Sequence, residues 1–339
     1  MRQPLIIGLG RSGSGLHVRA LRTARAAAPD LWDGPIVAVD PRPGAGGPGA
    51  DGVARTRTLD QARPLLTPDT TVAHVCTPPD TRPAVIADLA ARGFRDLVVE
   101  KPLAADAAQL AAVERLREDH DLRITVVAPW PAGELARRLR RLIATGQHGR
   151  LLRIEAAQHK PRFQRSLRPG DGHPTAFEVE VPHSLGLVLD LAGPATVTGA
   201  RLTDLRCGET VRPHMGSARI DLRHTSGVHT RIVSDLAAPV RERSVTLFLE
   251  HGTVVAHFPL AADDDHAQLV TGERRDVFRD DALAAFMTRA YDRYATVAPH
   301  HPSWKSGFDL HADVVRLLDT AKTRCGAHRG EEESPRAAV

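Results

Sequence analysis

The run from Leu5 to Gly15 constrains this chain more than any other stretch. Leu5-Ile6-Ile7 reads as a buried strand, and Leu16 to Ala28 reads as a helix. Between them Gly8, Gly10 and Gly13 stand at G-x-G-x-x-G spacing, with Arg11 and Ser12 inside the turn. Each glycine has a mechanical reason. The first allows the tight bend, the second lets the backbone approach a pyrophosphate, and the third lets helix pack on strand. The helix start then presents its unpaired N–H groups to phosphates.

The alternation continues. Ile36 to Val39 reads as a second strand ending in Asp40, and Pro41 to Gly52 as a Gly- and Pro-rich loop. Thr71 to Cys76 reads as a strand before Thr77-Pro78-Pro79, and Ala84 to Arg92 as a helix ending at Gly93. A strand through Leu97-Val98-Val99, a helix from Ala105 to His120 and a strand from Ile124 to Ala128 follow. Strands alternating with helices predict a parallel, doubly wound sheet. At the end of its second strand Asp40 is placed to accept the adenosine ribose hydroxyls and favour NAD, while Arg42 could neutralise the 2′-phosphate of NADP.

Glu100-Lys101-Pro102 follows the apolar strand directly, at the lip where open α/β sheets keep their ligands. Of 45 basic residues only Lys101, Lys160, Lys305 and Lys322 are lysines. Arginine keeps its charge, so an amine retained at this lip points to a group that can shift its proton affinity.

At 339 residues and 42% hydrophobic content, the chain can build two domains. A net charge of +4 with basic residues spread along the sequence argues for arginine bias and against a nucleic-acid surface. Cys76, Cys207 and Cys325 lie far apart, which predicts neither a disulfide framework nor a metal site. No apolar run is long enough for a bilayer and no leader architecture opens the chain, so a cytoplasmic protein is expected.

The order Gly8-x-Gly10-x-x-Gly13, Asp40, Thr77-Pro78, Glu100-Lys101-Pro102 resembles the Gfo/Idh/MocA family of glucose–fructose oxidoreductase, inositol 2-dehydrogenase and relatives. The resemblance implies an N-terminal Rossmann domain, placed at residues 1–128. An α/β domain with a large, mostly antiparallel sheet follows at 129–325, its last helix packing back on the first domain, and then a flexible tail at 326–339. It implies NAD or NADP bound by the glycine turn, Asp40, Arg42, Thr77, Pro78, Glu100 and Lys101. It also implies a cis Lys101–Pro102 bond, and hydride transfer to or from a sugar, amino-sugar precursor or cyclitol, phosphorylated and nucleotide-linked forms included. Arginine richness suggests a GC-rich bacterial source and secondary metabolism. The competing readings are an imine reductase of the same family and a cofactor-binding regulator without catalysis.

Hydroxyl oxidation needs a base, and His183 is the candidate. It stands ten residues before Gly193, as a histidine does in the family. Lys101 would stabilise developing alkoxide charge. The family's aspartate four residues before this histidine is Val179 here, and Glu180 is the expected substitute. Glu178, with His159, Lys160 and Arg162, is a candidate for substrate binding, the three basic groups as an anion site. Arg82 stands where many relatives have histidine. Gly170 to His173 reads as part of a lid, and Asp263 to His266 as an acidic turn. Further strands are expected from Leu151 to Phe258, and helices over Asp281 to Tyr294 and Gly307 to Thr323. The partners expected are a small-molecule sugar or cyclitol and a second copy, as homodimer or homotetramer. The pairing surface would be an open sheet face carrying Val228, Ile232, Leu247 and Leu249. Neither nucleic acid nor membrane is expected.

Overall fold

The computed structural model describes residues 2–168, 173–261 and 264–327. Gly170 to Gly172 of the expected lid, Asp263 of the acidic turn and the tail from residue 328 lie outside them.

The chain divides into two compact units, Met1–Gly133 with Asp281–Val315, and Glu134–Asp280 with Arg316–Val339. In the first, β1 (Gln3–Ile7) leads into a helix that begins as a π-type turn over Arg11–Val18 and continues as α1 (Arg19–Ala27). Then come β2 (Val37–Val39), β3 (Ala54–Thr56), α2 (Leu59–Ala62), β4 (Thr71–Val75), α3 (Arg82–Ala91), β5 (Asp96–Val99), α4 (Ala107–Asp119), β6 (Arg123–Val126) and the short α5 (Pro129–Ala132). All six strands pair in parallel, in the order β3-β2-β1-β4-β5-β6. That order reverses direction between β1 and β4, which opens a crevice at the strand ends. β1, β2, β4 and β5 are fully or nearly buried, as parallel strands covered on both faces must be. Thr58 caps α2 and Asp106 caps α4, each accepting an N–H from three residues on.

The second unit opens with α6 (Glu134–Thr145), whose first N–H groups, of Glu134 and Leu135, donate to the buried carboxylate of Asp280. β7 (Leu151–His159), α7 (Phe163–Ser166), α8 (Ala176–Val179) and α9 (Val181–Ala192) follow. Next are β8 (Ala195–Leu202), β9 (Leu205–Cys207), β10 (Thr210–Arg212), β11 (Ser217–His224), β12 (His229–Asp235), β13 (Glu242–Leu249), β14 (Gly252–His257), β15 (His266–Thr271) and β16 (Arg274–Arg279). Eight of these strands form one sheet in the order β16-β15-β14-β13-β7-β12-β11-β8, antiparallel throughout except between β7 and β12. β9 and β10 make a separate hairpin.

Two expectations are corrected here. α10 (Ala282–Thr296) groups with the first unit and not the second; α11 (Ser303–Arg324), the helix expected to pack back on the first domain, groups with that unit as far as Val315. The reason is apolar: Phe286, Met287, Ala290, Tyr291 and Tyr294 of α10 enter the core made by Leu21, Trp32, Val72 and Val98. The second correction concerns the sheet. Val228, Ile232, Leu247 and Leu249 are buried within the single chain, on the face that α8 and α9 cover. The period of two along each strand puts different residues outward: Arg153 and Glu155 on β7, Arg219 and Asp221 on β11, Arg231 on β12. These outward charges pair with one another. Asp221 accepts from Arg231 of the neighbouring strand at 2.7 Å, and Arg153 donates to Glu155 of its own strand at 2.7 Å.

Candidate active site

Gly8 adopts a φ of +93°, the region where a side chain would be strained. A Cβ on Gly13 would collide with the carbonyl oxygen of Gly8, so the helix start can approach the strand only as glycine. A Cβ on Gly10 would meet only the Arg42 guanidinium, at 3.7 Å. Its backbone therefore borders open space, as a phosphate cradle requires. The helix beginning at Arg11 leaves its first N–H groups without carbonyls of a preceding turn.

Asp40 ends β2 and is nearly buried. Its carboxylate accepts from the Leu9 N–H at 2.8 Å, the Arg42 N–H at 3.0 Å, Arg42 Nε at 3.0 Å and Arg42 Nη2 at 2.7 Å. The hydrogen bonds from the Arg42 side chain pull its pKa down to about 2 against the opposing effect of burial. Arg42, Arg55 and Arg57 line a cavity of about 490 Å³ together with Asp40, Leu9 and Gln61. Three guanidinium groups against one carboxylate make that cavity basic.

The strand-end residues of β4 and β5 supply the rest. The Lys101–Pro102 bond is cis. Glu100 is nearly buried, and its carboxylate accepts from the Lys101 N–H at 3.1 Å and faces His17 Nε2 at 2.9 Å. Burial raises the Glu100 pKa, but His17 and then Lys101 and Arg82 outweigh it, and the net effect is a fall to about 2. Arg82 Nε donates to the Thr77 carbonyl at 3.1 Å. Arg82 Nη1 and the Thr77 hydroxyl are buried without a hydrogen-bond partner. Buried polar atoms are normally satisfied, so these two mark a place where a polar group is received. Together with the glycine cradle they fit a nicotinamide dinucleotide, for which Gly8, Gly10, Arg11, Ser12, Gly13, Asp40, Arg42, Thr77, Pro78, Glu100 and Lys101 are the available residues.

In the second unit β7 and α9 bring together a polar cluster. Glu180, nearly buried, accepts from Gln158 Nε2 at 2.5 Å and Lys160 Nζ at 2.7 Å. Ser184 donates to Gln158 Oε1 at 3.1 Å. The His183 N–H donates to the Glu180 carbonyl at 3.1 Å, which places His183 in the first turn of α9. The three basic residues expected to form an anion site are dispersed in their partners. Lys160 answers Glu180, the buried Arg162 donates to Ser166 Oγ at 3.0 Å, and His159 faces Glu242 at 3.8 Å. Glu178 accepts from the Thr175 N–H at 3.0 Å in a capping box for α8, and faces Lys322 at 3.3 Å. Its carboxylate thus holds a helix end.

Sequence reasoning missed Gln158, Ser184, His17, His74 and Tyr291. The T-x-x-E of Thr175 and Glu178 was a local signal for the cap of α8. Among the described residues no three His, Cys, Asp or Glu side chains converge as metal ligands, and no helix is long and apolar enough to cross a membrane.

Residues 3–128 match the model of the Gfo/Idh/MocA oxidoreductase family, NAD-binding Rossmann fold. Among solved structures the chain is similar to an oxidoreductase from Desulfitobacterium hafniense (14% identity, TM-score 0.76, covering 95% of this chain and 96% of that one). It is similar also to KijD10, a 3-ketoreductase from Actinomadura kijaniata. The open conformation of that protein, in complex with TDP-benzene and NADP, gives 15% identity, TM-score 0.71 and coverage of 96% and 98%. A third is an NAD-binding oxidoreductase from Klebsiella pneumoniae (15% identity, TM-score 0.73, coverage 95% and 96%). No curated protein matches the sequence. Identities this low speak for the fold, and the likeness to the family lies in the first domain. Residues 3–128 are thus an NAD-binding Rossmann domain of the kind found in the Gfo/Idh/MocA oxidoreductases.

Proposed function

We propose that the chain moves hydride between NAD(P) and a hydroxyl or keto carbon of a sugar, amino-sugar precursor or cyclitol, in a nucleotide-linked form. The observation that carries the reading is Lys101 at the end of β5, beside the buried carboxylate of Glu100. An amine there can donate a hydrogen bond to a substrate oxygen and oppose the charge that develops on it. The bound nicotinamide supplies or accepts the hydride. In the second domain His183 is the proposed proton-transfer group, and Glu180 the carboxylate behind it, held in place by Gln158 and Lys160. The likeness to KijD10, solved with TDP-benzene and NADP, supports a nucleotide-linked substrate.

For the cofactor, the cavity at Asp40 supports NADP as well as NAD. The Asp40 carboxylate is already engaged by Arg42 and Leu9, and Arg42 and Arg57 line the same cavity. Beside the NAD preference expected from Asp40, Arg42 would let the site accept the 2′-phosphate. Assembly as a homodimer or homotetramer would use the sheet face opposite α9, where the Arg219, Asp221 and Arg231 ladder lies. His159, Lys160, Arg162 and Glu178 are left as supports of the second domain.

The test is hydride transfer, followed through nicotinamide absorbance, with NADPH and a panel of free and nucleotide-linked keto-sugars. Oxidation of NADPH by a nucleotide-linked ketone supports the reading. Turnover confined to cyclic imines would transfer the chain to imine reduction, and tight cofactor binding with no turnover would leave it a regulator.

A further inference from the structure

Four buried side chains form a line that ends beside Lys101. His17 comes from the first helical segment, His74 from β4, Tyr291 from α10 and Glu100 from the end of β5. Glu100 Oε1 faces His17 Nε2 at 2.9 Å, His17 Nδ1 faces His74 Nδ1 at 2.9 Å, and His74 Nε2 faces the Tyr291 hydroxyl at 2.9 Å. His17, His74 and Tyr291 are wholly inaccessible to solvent. The other oxygen of Glu100 accepts from the Lys101 N–H.

The chemistry of this line is restricted. His17 Nε2 faces a carboxylate and so carries a hydrogen. Two N–H groups cannot face each other at this separation, and neither can two bare nitrogens, so one proton lies between the two Nδ1 atoms. If it belongs to His17, that ring is an imidazolium and His74 donates to Tyr291. If it belongs to His74, both rings are neutral and Tyr291 donates to His74. Burial disfavours charge on both. For His17 the neighbouring Cys76 and Glu100 outweigh burial and push the imidazole up to about 10, whereas burial and the charge of His17 hold His74 well below its ordinary value. The buried Glu100 carboxylate facing His17 Nε2 at 2.9 Å calls for a positive partner, which favours the imidazolium form of His17, ion-paired to Glu100. The other titratable or charged groups around the line are Cys76 after β4, Arg82 on α3 with Asp80 before it, and Tyr294 on α10.

We propose that His17, His74 and Tyr291 are positioning residues that hold a proton against Glu100 and thereby set the charge standing beside Lys101. Alone, the Glu100 carboxylate would favour the ammonium form of Lys101. His17 cancels much of that field, and His74 keeps His17 doubly protonated by accepting from it. The inference rests on the reading that Lys101 serves the reaction through its amine.

With only four lysines in the chain, isotope-labelled reductive methylation followed by NMR titration can resolve Lys101 directly, assigned by Lys101→Arg. His17→Gln should raise the Lys101 midpoint by about one pH unit, the scale of a unit charge about 10 Å away at an effective dielectric of about 20. Glu100→Gln, which removes the anion and with it the partner that holds the His17 proton, should not raise it, and the double variant should return it near wild type. His74→Leu should shift it in the direction of His17→Gln. Shifts of the same sign for His17→Gln and Glu100→Gln, or none in either, would overturn the proposal. Fluorescence of bound NADPH and turnover are read on the same samples. Shifts as expected without hydride transfer would sink the proposed function alone, and transfer without shifts would sink the relay alone.

Discussion

The carboxylate of Glu180 is held at 2.7 Å by the ammonium of Lys160, with Gln158 on its second oxygen. A carboxylate this buried needs donors of this kind. Lys160→Met should leave it with a partly uncompensated charge and destabilise the protein by about 2–4 kcal/mol, less than the roughly 3–5 kcal/mol of a fully buried pair because the lysine is partly exposed. Thermal unfolding checks it. A midpoint within about one degree of wild type would mean that the pair adds nothing, and that Glu180 is tied elsewhere.

Gly10 and Gly13 should respond differently to a side chain. Gly10→Val should fold normally and lose NADPH binding at least about a hundredfold, because the new side chain occupies the cradle and touches little protein. Gly13→Ala should lose stability by about 1–3 kcal/mol, the usual range for overpacking, through the clash with the Gly8 carbonyl. Cofactor fluorescence and circular dichroism melts separate the two. Undiminished NADPH affinity in Gly10→Val would remove the phosphate assignment.

Arg42 should decide between the two dinucleotides. Arg42→Ala removes one positive charge from the cavity and frees the Asp40 carboxylate for ribose hydroxyls. The ratio of NADPH to NADH affinity should fall about tenfold, the value of one charge-assisted contact of roughly 1.4 kcal/mol. An unchanged ratio in titrations with both cofactors would place the 2′-phosphate away from Arg42.

Lys101→Arg should be a poor replacement. A planar fork does not substitute for a compact amine, and turnover should fall by a factor on the order of 100 or more while NADPH affinity changes little. The measurement is steady-state kinetics beside cofactor titration, with a loss confined to cofactor affinity as the contrary result.

The pair of Glu100 and His17 makes stability depend on pH in both directions. The Glu100 pKa is depressed, so its contribution is present above the unfolded value near 4.5 and is lost as pH falls toward about 2. The His17 pKa is raised, so its contribution is complete below the unfolded value near 6.5 and is lost as pH rises toward about 10. Stability should therefore peak between about pH 5 and 6.5 and decline on the alkaline side. His17→Gln should flatten that alkaline limb. Melting curves across pH decide it, and an alkaline limb of unchanged slope in the variant would assign the decline to other groups.

What was legible in the sequence alone was what short range decides. The strand, tight turn and helix of Leu5 to Ala27 lie within one local stretch, so three glycines at fixed offsets and the apolar run before them were sufficient to read it. The same holds for Lys101 at a strand end, since the apolar run and the amine are adjacent, and for most strands of the second sheet, since alternation is a period of two. Tertiary structure alone decided which polar groups meet. His74 and Tyr291 are 217 residues apart and Asp280 caps a helix 146 residues earlier, and no periodicity carries such pairings. It also decided that α10 belongs with the first domain, and that Lys160 serves Glu180 where an anion site was expected. The physical reason is that apolar pattern selects the kind of element and its buried face. A buried charge or hydrogen-bonding group must instead find its partner wherever packing places one, and that partner can come from any part of the chain.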